Sequence, residues 1–364
     1  MRITLMHDGG PVSGISTYFY NILRNLKFHN EDATLYQYIL WKSQINPSDG
    51  IVVVNKPRDI PHSIFIQKVR TVTDLYFGRN WHQFRQIKTG DFTILSNPAL
   101  LKLTKHIHNC GVIAHDLYYL YNNNDSKLFN IYFRKQYKMF NQSDFILSNS
   151  EFSRIDMIDK LNIDPHKITT VYPYINNKIF YPGESKFRAN LGLNNSKKLI
   201  LSVAGEKPNK NIETVIKLMS KLPDNYILIR VGRNTSSLKL IHDLHLEKRV
   251  IFKENIGEEE LADIYRGSDM FVFPSLFEGF GLPVGEAMSS GVPVLGSNSG
   301  SLPEVIENSG IVSDPYDIDF MADRIQSIVD NDKEYNKYRQ LGIERAKLFN
   351  MESQYKQIIS ALNK

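Results

Sequence analysis

Cysteine is nearly absent from this chain. Cys110 is the only cysteine among 364 residues, so no disulfide can form within the chain, and such scarcity is typical of a reducing compartment. Long apolar runs are also absent. The first run, 3–6, ends at His7, short of the roughly 7–15 apolar residues of a secretory signal, and no later run approaches the ~20 residues that cross a bilayer. We therefore expect a soluble cytoplasmic protein, at most peripheral on the inner face of the membrane.

Metal-binding motifs are lacking as well. The ten histidines form no H-E-x-x-H pair, and the single cysteine cannot form a C-x-x-C pair. The sequence therefore predicts no metal site and no metal cofactor. Disorder is excluded too, because 42% hydrophobic and 23% charged residues make an ordinary globular composition. The length favours two domains.

Positive charge is concentrated in the first half. Residues 1–175 contain 20 Lys and Arg against 14 Asp and Glu, a net charge of +6, whereas the whole chain carries +5. Within this half, the segment 68–88 interleaves basic and aromatic residues. Two interpretations stay open: an ordinary solvated basic face, or a surface for an anionic partner such as phospholipid, a lipid phosphate or an acidic glycan. No basic block or motif indicates nucleic acid.

Apolar runs and amphipathic segments alternate along the whole chain. The runs predict strands over 3–6, 93–95, 111–115, 144–147 and 169–172, and then over 198–203, 226–231, 250–252, 270–273 and 292–295. Helices are predicted over 15–26, 127–141 and 151–160, and then over 212–220, 238–244, 258–266, 283–290 and 318–329. This alternation predicts an α/β protein with two Rossmann-like domains, each with a doubly wound parallel sheet. We place them at 1–175 and 176–348, with a helix in 349–364 that packs back on the first domain.

The most informative segment is 270–288, in which a buried strand leads through a glycine-rich turn into a helix. Gly279 and Gly281 let the backbone approach a ligand without a Cβ in the way, and the helix N-terminus attracts phosphate or hydroxyl groups. Glu278 and Glu286 flank the turn and can accept hydrogen bonds from sugar or ribose hydroxyls. The alternative is a solvated Glu278 and a Glu286 that only favours the helix N-terminus.

This segment resembles the E-x7-E signature of the family 4 glycosyltransferases. Glu278 and Glu286 stand eight positions apart, enclose Gly-Phe-Gly-Leu-Pro and are followed by Ala-Met. The resemblance extends over 259–269 before the signature and 290–305 after it, and in the N-terminal half it depends on shorter pieces. Members of the family are retaining enzymes of GT-B architecture. The resemblance therefore implies two Rossmann-like domains facing a central cleft.

The resemblance also implies roles for the signature residues. Glu278 would bind hydroxyls of the donor sugar, and Glu286 would bind the nucleotide ribose. The backbone amides of Phe280, Gly281 and Leu282 would contact the sugar and the diphosphate.

Cations for the diphosphate are expected in the loop after the strand 198–203. Lys210 matches the lysine that the family places there, whereas Asn209 and Ala204 stand where the family commonly has an arginine. Lys207 is a candidate substitute at a different offset. The alternative for either lysine is a solvated loop side chain.

Two features of the N-terminal half complete the expected site. The strand 111–115 ends in His115-Asp116, and the resemblance implies that His115 faces the donor sugar and the acceptor, as a catalytic residue that orients the sugar. The alternative is a satisfied histidine beside a helix-capping Asp116, which we expect to be structural. The turn 8–14 resembles the family's first glycine-rich loop, which lies under the donor phosphates, and keeps Gly14 of that pattern. The turn lacks the G-x-G-x-x-G spacing of a dinucleotide site.

Together these features predict a retaining glycosyltransferase. It would move a sugar from a nucleoside diphosphate donor, with a lean toward GDP-mannose, to a carbohydrate or lipid-linked acceptor, as in polysaccharide biosynthesis. It would need no cofactor beyond the nucleotide-sugar co-substrate, and it would not bind nucleic acid. Two alternatives stay open: a nucleotide-sugar epimerase of the same architecture, and a non-catalytic glycan-binding paralogue.

Overall fold

The computed structural model describes residues 1–7, 14–37, 51–53, 87, 89–103, 107–121, 127–194, 196–232 and 237–364. Most of the turn 8–14 and of the basic and aromatic segment 68–88 lies outside these residues. Contacts within the described chain divide it into two compact units. The first unit is Met1–Pro173 with Gln354–Lys364, and the second is Tyr174–Ser353. The sequence places the corresponding boundaries after 175 and 348.

The first unit contains one parallel sheet. Its strands are β1 (Arg2–His7), β2 (Asp32–Gln37), β3 (Ile51–Val53), β4 (Phe92–Leu95), β5 (Cys110–Ala114), β6 (Phe145–Ser148) and β7 (Ile168–Thr170). Their order in the sheet is β3-β2-β1-β4-β5-β6-β7, and each described pairing is parallel. The helices that the structure describes between them are α1 (Gly14–Phe28), α2 (Tyr118–Tyr121), α3 (Lys127–Tyr137) and α4 (Glu151–Leu161).

Local sequence accounts for the helices of this unit. On α1, Phe19, Ile22 and Leu26 recur at helical spacing and are fully buried, so one face packs on the sheet. Helix α4 begins after Ser150, whose Oγ accepts a hydrogen bond from Ser153 N at 3.0 Å. Ser150 is therefore the N-cap of α4.

The second unit repeats this architecture with a sheet of six strands. These are β8 (Lys198–Val203), β9 (Tyr226–Val231), β10 (Val250–Lys253), β11 (Met270–Phe273), β12 (Val294–Ser297) and β13 (Ile311–Ser313), in the order β10-β9-β8-β11-β12-β13 and all parallel. The helices are α5 (Phe187–Asn190), α6 (Ile212–Met219), α7 (Leu238–Asp243), α8 (Glu258–Gly267), α9 (Leu282–Ser289), α10 (Leu302–Ile306), α11 (Ile318–Val329) and α12 (Asp332–Ala346). The last helix, α13 (Met351–Leu362), begins in this unit, and its residues from Gln354 onward belong to the first unit.

Both sheets place the first and the fourth strand of their unit side by side, β1 beside β4 and β8 beside β11. Strand order reverses at these pairs, and open α/β sheets bind ligands beyond the carboxyl ends of such strands. The predicted doubly wound α/β fold is therefore confirmed in each unit. In the second unit, the loops that begin at the switch point are 204–211 after β8 and 274–281 after β11. None of the helices described combines the length and the apolar character that a transmembrane span requires.

Candidate active site

The two switch-point loops of the second unit are joined by hydrogen bonds. The carbonyl oxygen of Asn209 accepts from Ser275 Oγ at 2.8 Å and from the backbone N–H of Leu276 at 2.7 Å. The Asn209 side chain donates from Nδ2 to the carbonyl of Phe277 at 3.0 Å, while its Oδ1 is buried without a hydrogen-bond partner. These bonds fix the loop after β8 against the loop after β11.

Asn211 makes a second connection. It ends the turn Pro208–Lys210 with φ of 52°, in the left-handed region that asparagine tolerates better than most residues. Its Nδ2 donates to the carbonyls of Pro274 and Pro315, each at 3.1 Å. The turn that carries Lys210 is therefore held by neighbours on two sides.

This framework brings Lys210 and Glu278 together. Lys210 Nζ lies 2.6 Å from Glu278 Oε1, with the two side chains 22% and 11% exposed. Ser275 Oγ lies 2.6 Å from the same oxygen. Because the Ser275 hydroxyl has one proton and two acceptors, Glu278 and the Asn209 carbonyl compete for it. Lys210 Nζ also lies 5.6 Å from the centre of the Phe273 ring, a favourable cation–π distance.

The backbone of Glu278 is fixed as firmly as its side chain. Its carbonyl accepts from Ser301 N at 3.2 Å and from Ser301 Oγ at 3.1 Å. Gly300 approaches so closely that a Cβ there would lie 2.7 Å from both the nitrogen and the oxygen of Glu278. Only glycine fits this position without a shift, and Gly300 also has φ of +62°.

Gly281 sets the entry into helix α9. It has φ of +90°, and a Cβ there would lie 2.6 Å from Leu302 Cδ2, so the position requires glycine. The preceding Phe280 is buried, with its ring perpendicular to Phe349 at 5.1 Å. The Phe280 side chain is therefore part of the core. The first N–H groups of any helix lack intrahelical partners, which is the property expected of the amides at Gly281 and Leu282.

Glu286 lies one turn further along α9 and is half-buried. Its Oε2 lies 3.0 Å from the hydroxyl of Tyr265 on α8, which also lies 3.2 Å from the Pro283 carbonyl. Burial raises the pKa of Glu286 to about 7, the hydrogen bond from Tyr265 acts in the opposite direction, and the charge of Glu258 adds to the increase. The carboxyl group is thus poised to change its charge near neutral pH.

Residues 183–345, which include this whole constellation, match the family model for glycosyl transferases group 1. The match spans most of the second unit, and it agrees with the glycosyltransferase family that the resemblance around Glu278 and Glu286 predicts.

Two curated proteins illustrate the similarity. D-inositol 3-phosphate glycosyltransferase of Mycolicibacterium smegmatis is 30% identical over 201 residues, which cover 52% of this chain and 46% of that protein. O-antigen chain mannosyltransferase RfbU of Salmonella typhimurium is 29% identical over 278 residues, which cover 74% of each chain. The chain spans about half the length of the first of these relatives.

Solved structures show the same fold. Sucrose-phosphate synthase of Thermosynechococcus elongatus has a TM-score of 0.79 at 20% identity, covering 99% of this chain and 100% of that one. HepE of Anabaena, solved in complex with UDP and glucose, has a TM-score of 0.76 at 17% identity and full coverage of both chains. The fold class is that of the GT-B glycosyltransferases, as predicted.

The other cation predicted for the glycosyltransferase site, Lys207, lies three positions before Lys210, and its carbonyl accepts a hydrogen bond from the Lys210 N–H at 2.9 Å. Its side chain is exposed and makes no hydrogen bond or ion pair with the described part of the chain. Its role in donor binding stays a prediction.

In the first unit, His115 follows β5 directly. Its ring meets Tyr18 edge-on at 5.8 Å, and its Nε2 is buried without a hydrogen-bond partner among the residues that the structure describes. Burial, reinforced by the charge of nearby His7, lowers the pKa of His115 to about 3, while a hydrogen bond with the Ser96 backbone opposes the shift. The imidazole is therefore neutral at physiological pH, as a residue that orients a sugar can be. Its catalytic assignment stays a prediction.

The remaining predicted residues are placed as follows. Asp116 Oδ1 accepts a hydrogen bond from Tyr118 N at 3.0 Å, at the start of α2, which agrees with the structural role expected of it. Gly14 is the first residue of α1. The described residues contain no group of three or more His, Cys, Asp or Glu side chains that could hold a metal ion.

Sequence reasoning missed Ser275, Asn211 and Tyr265. Each acts through one or two hydrogen bonds to a partner that is distant in sequence: the Pro315 carbonyl is 104 positions from Asn211, and Tyr265 is 21 positions from Glu286. For Ser275, its place just after a buried strand was the available signal.

Proposed function

We propose that this protein is a retaining glycosyltransferase that moves a sugar from a nucleoside diphosphate sugar to a carbohydrate or lipid-linked acceptor. One observation carries the proposal: Lys210 and Glu278, from the two loops at the switch point of the second sheet, lie 2.6 Å apart beside the N-terminus of α9. A cation, a carboxylate and a helix N-terminus are the groups that a sugar bonded to a diphosphate requires.

The diphosphate is the leaving group and gains negative charge as its bond to the sugar breaks. In this proposal Lys210 and the amides at Gly281 and Leu282 stabilise this charge, and fixed donors do so more effectively than water because they need no reorganisation. The loops around Lys210 are fixed in this way by the hydrogen bonds of Asn209 and Asn211. No metal ion is needed for this step.

The two glutamates divide the rest of the donor between them. Glu278, beside Lys210, accepts hydrogen bonds from hydroxyls of the transferred sugar, and Glu286, on the helix, accepts them from the ribose. We propose attack on the same face from which the diphosphate departs, with a departing phosphate oxygen taking the proton of the acceptor hydroxyl. Configuration at the anomeric carbon is then retained.

GDP-mannose is the first donor to test, because relatives such as RfbU are named as mannosyltransferases. A uridine donor is the competing candidate, because HepE was solved with UDP-glucose. For the acceptor we propose a glycan or a lipid-linked glycan. The excess positive charge of residues 1–175 supports peripheral contact with an anionic membrane.

Thermal-shift screening against GDP-mannose, UDP-glucose, ADP-glucose and their diphosphates tests donor binding, since a ligand of the native state raises the Tm by mass action. NMR of the product then determines the anomeric configuration. We expect one nucleotide family to stabilise the protein and the product to keep the donor's configuration. Conversion of the donor sugar without acceptor would favour an epimerase, and absence of any nucleotide binding would favour a non-catalytic glycan-binding protein.

A further inference from the structure

A buried arginine lies beside the loop that carries Lys210. Arg230, in the otherwise apolar strand β9, is 1% exposed and is among the largest fully buried side chains described. Burial lowers the pKa of Arg230 to about 10, against the opposing charges of Glu206 and Glu254, so the guanidinium stays charged at neutral pH. A buried charge costs free energy unless its surroundings or its function compensate.

Neutral groups are the only direct partners of this guanidinium in the described chain. Nη2 donates to the carbonyl of Ala204 at 2.5 Å, and Nη1 donates to the carbonyl of Val231. Nε is buried without a hydrogen-bond partner. Arg230 forms no ion pair with any residue that the structure describes, so no carboxylate in contact with it cancels its charge.

Both carbonyls that hold Arg230 belong to the carboxyl end of the sheet. Ala204 is the first residue after β8 and begins the loop 204–211, and its N–H donates to Val231 O at 3.1 Å. Gly232, with φ of +116°, passes so close to the Ala204 carbonyl that a Cβ there would overlap it. The start of the loop is thus fixed by the hydrogen bond from Arg230 and by the close approach of Gly232. At the other end of this loop, Lys210 is already paired with Glu278.

We infer that Arg230 is a positioning residue of the donor site, which holds the Ala204 end of the Lys210 loop and adds a buried positive charge, held in no ion pair with the described residues, to the potential that a donor diphosphate meets beyond β8. The inference depends on the proposed function in one respect, that the ligand is a nucleoside diphosphate. A buried charge is screened little by salt. At an effective dielectric constant of about 20, a unit charge within ~10 Å changes the affinity for an anion by on the order of 10-fold.

The test compares R230M with R249M. Arg249, at the opposite end of the same sheet, also donates to backbone carbonyls, those of Tyr226, Leu222 and Pro223, and provides a matched control for the loss of a carbonyl-bound arginine. Affinities for GDP, UDP and ADP are measured by calorimetry, and affinities for the corresponding nucleosides by ligand-detected NMR. We expect R230M to weaken the binding of the preferred diphosphate by on the order of 10-fold and to leave the affinity for the nucleoside unchanged. R249M should change neither affinity.

Two further variants keep the test decisive. If R230M does not fold, R230Q replaces it as the neutral variant, because glutamine can still donate to a carbonyl. R230K, which restores the charge, should recover part of the lost diphosphate affinity. Three results would each overturn this inference and leave the proposed function standing. They are equal diphosphate affinity in the neutral variant and R249M, an equal loss of affinity for diphosphate and nucleoside, and no recovery of affinity in R230K. A wild-type protein that binds none of the diphosphates would overturn both this inference and the proposed function.

Discussion

The ammonium nitrogen of Lys210 lies 2.6 Å from Oε1 of Glu278, and the two residues come from the loops that follow β8 and β11. The proposed roles assign them to different parts of one donor, the diphosphate and the sugar. Without a donor, each side chain satisfies the other. A bound donor must therefore either break this contact or use the remaining N–H donors of Lys210, and the pair keeps both groups in place until the donor binds.

The first prediction concerns Lys210. Replacement by alanine should weaken the binding of nucleoside diphosphate by on the order of 10–100-fold, because a hydrogen bond to a charged group contributes about 1.5–3 kcal/mol. Calorimetric titration with the preferred diphosphate measures the change.

Lys217 provides the control for this prediction. It lies on α6, is about half exposed and pairs with Glu213 at 3.6 Å, so K217A removes one lysine from the same unit without touching the switch-point loops. Its diphosphate affinity should equal that of the wild type. Equal effects of K210A and K217A would show that Lys210 does not bind the phosphates.

The sequence predicts those elements of the fold whose local pattern is strong. Strands β8, β9 and β11 are near-continuous apolar runs, and each was predicted with the bounds that the structure has. Strands β2, β3 and β13 were missed. Strands β3 and β13 have three residues each, too few to show a pattern, and β2 mixes polar with apolar residues and contains no long apolar run. Whether these segments form strands depends on pairing with a neighbouring strand, which is a tertiary effect.

The features of the candidate site also fall into those that the sequence predicts and those that depend on tertiary contacts. Glu278, Glu286 and Lys210 were found because their spacing resembles a family signature and their positions follow strands. The contact between Lys210 and Glu278 depends on how two loops meet, and sequence does not display it. Arg230 carried a usable signal, since a lone charge inside an apolar strand must find partners in the core.

The second prediction concerns pH. The neutral carboxyl is favoured in the folded protein, since burial raises the pKa of Glu286 to about 7, above its ordinary value. The stabilisation that this residue contributes is full below the ordinary pKa and is lost as the pH rises through about 7. E286Q, which stays neutral, should therefore have a Tm close to that of the wild type at pH 5 and a higher Tm at pH 8.

Tyr265 refines the same measurement. Its hydrogen bond to Glu286 Oε2 holds the pKa of Glu286 down, so in the Y265F background the Tm advantage that E286Q gives should keep growing to a higher pH than it does in the wild-type background. Scanning calorimetry from pH 5 to 8 measures both effects. A Tm difference between E286Q and the wild type that does not vary with pH would contradict the prediction.

The third prediction is that sugar transfer needs no divalent metal. Lys210 and the N-terminus of α9 are expected to stabilise the leaving diphosphate, and the described residues hold no cluster of metal ligands. Activity should persist after EDTA treatment and gel filtration. Complete loss that Mg²⁺ or Mn²⁺ restores would refute it.

The fourth prediction concerns the excess positive charge of residues 1–175. Co-sedimentation with vesicles should require anionic lipid and should weaken as salt is added, because salt screens interactions between exposed charges. Charge reversal at Arg79 and Arg85, within 68–88, should reduce binding. The same reversal at the exposed Lys217 and Lys248 of the second unit should not. Equal binding to neutral vesicles would contradict the idea.

The last prediction separates the two glutamates by the part of the donor that each one holds. The ribose does not react, so contacts with Glu286 are similar in the ground state and the transition state. E286A should therefore mainly raise the donor KM, by on the order of 10–100-fold for a lost charge-assisted hydrogen bond. The transferred sugar changes its shape and charge during the reaction. Contacts with Glu278 can strengthen at that point, so E278A should lower kcat more than it weakens donor binding.

Equilibrium binding gives an independent check, because a free nucleoside diphosphate has a ribose and no transferred sugar. Its affinity should fall in E286A and hardly change in E278A, where Lys210 also loses the carboxylate that competes with phosphate for it. K210A should weaken the same ligand. If E278A and E286A lose nucleotide affinity equally, or if the order is reversed, then the assignment of sugar to Glu278 and ribose to Glu286 is wrong, whatever the effect of either variant on kcat.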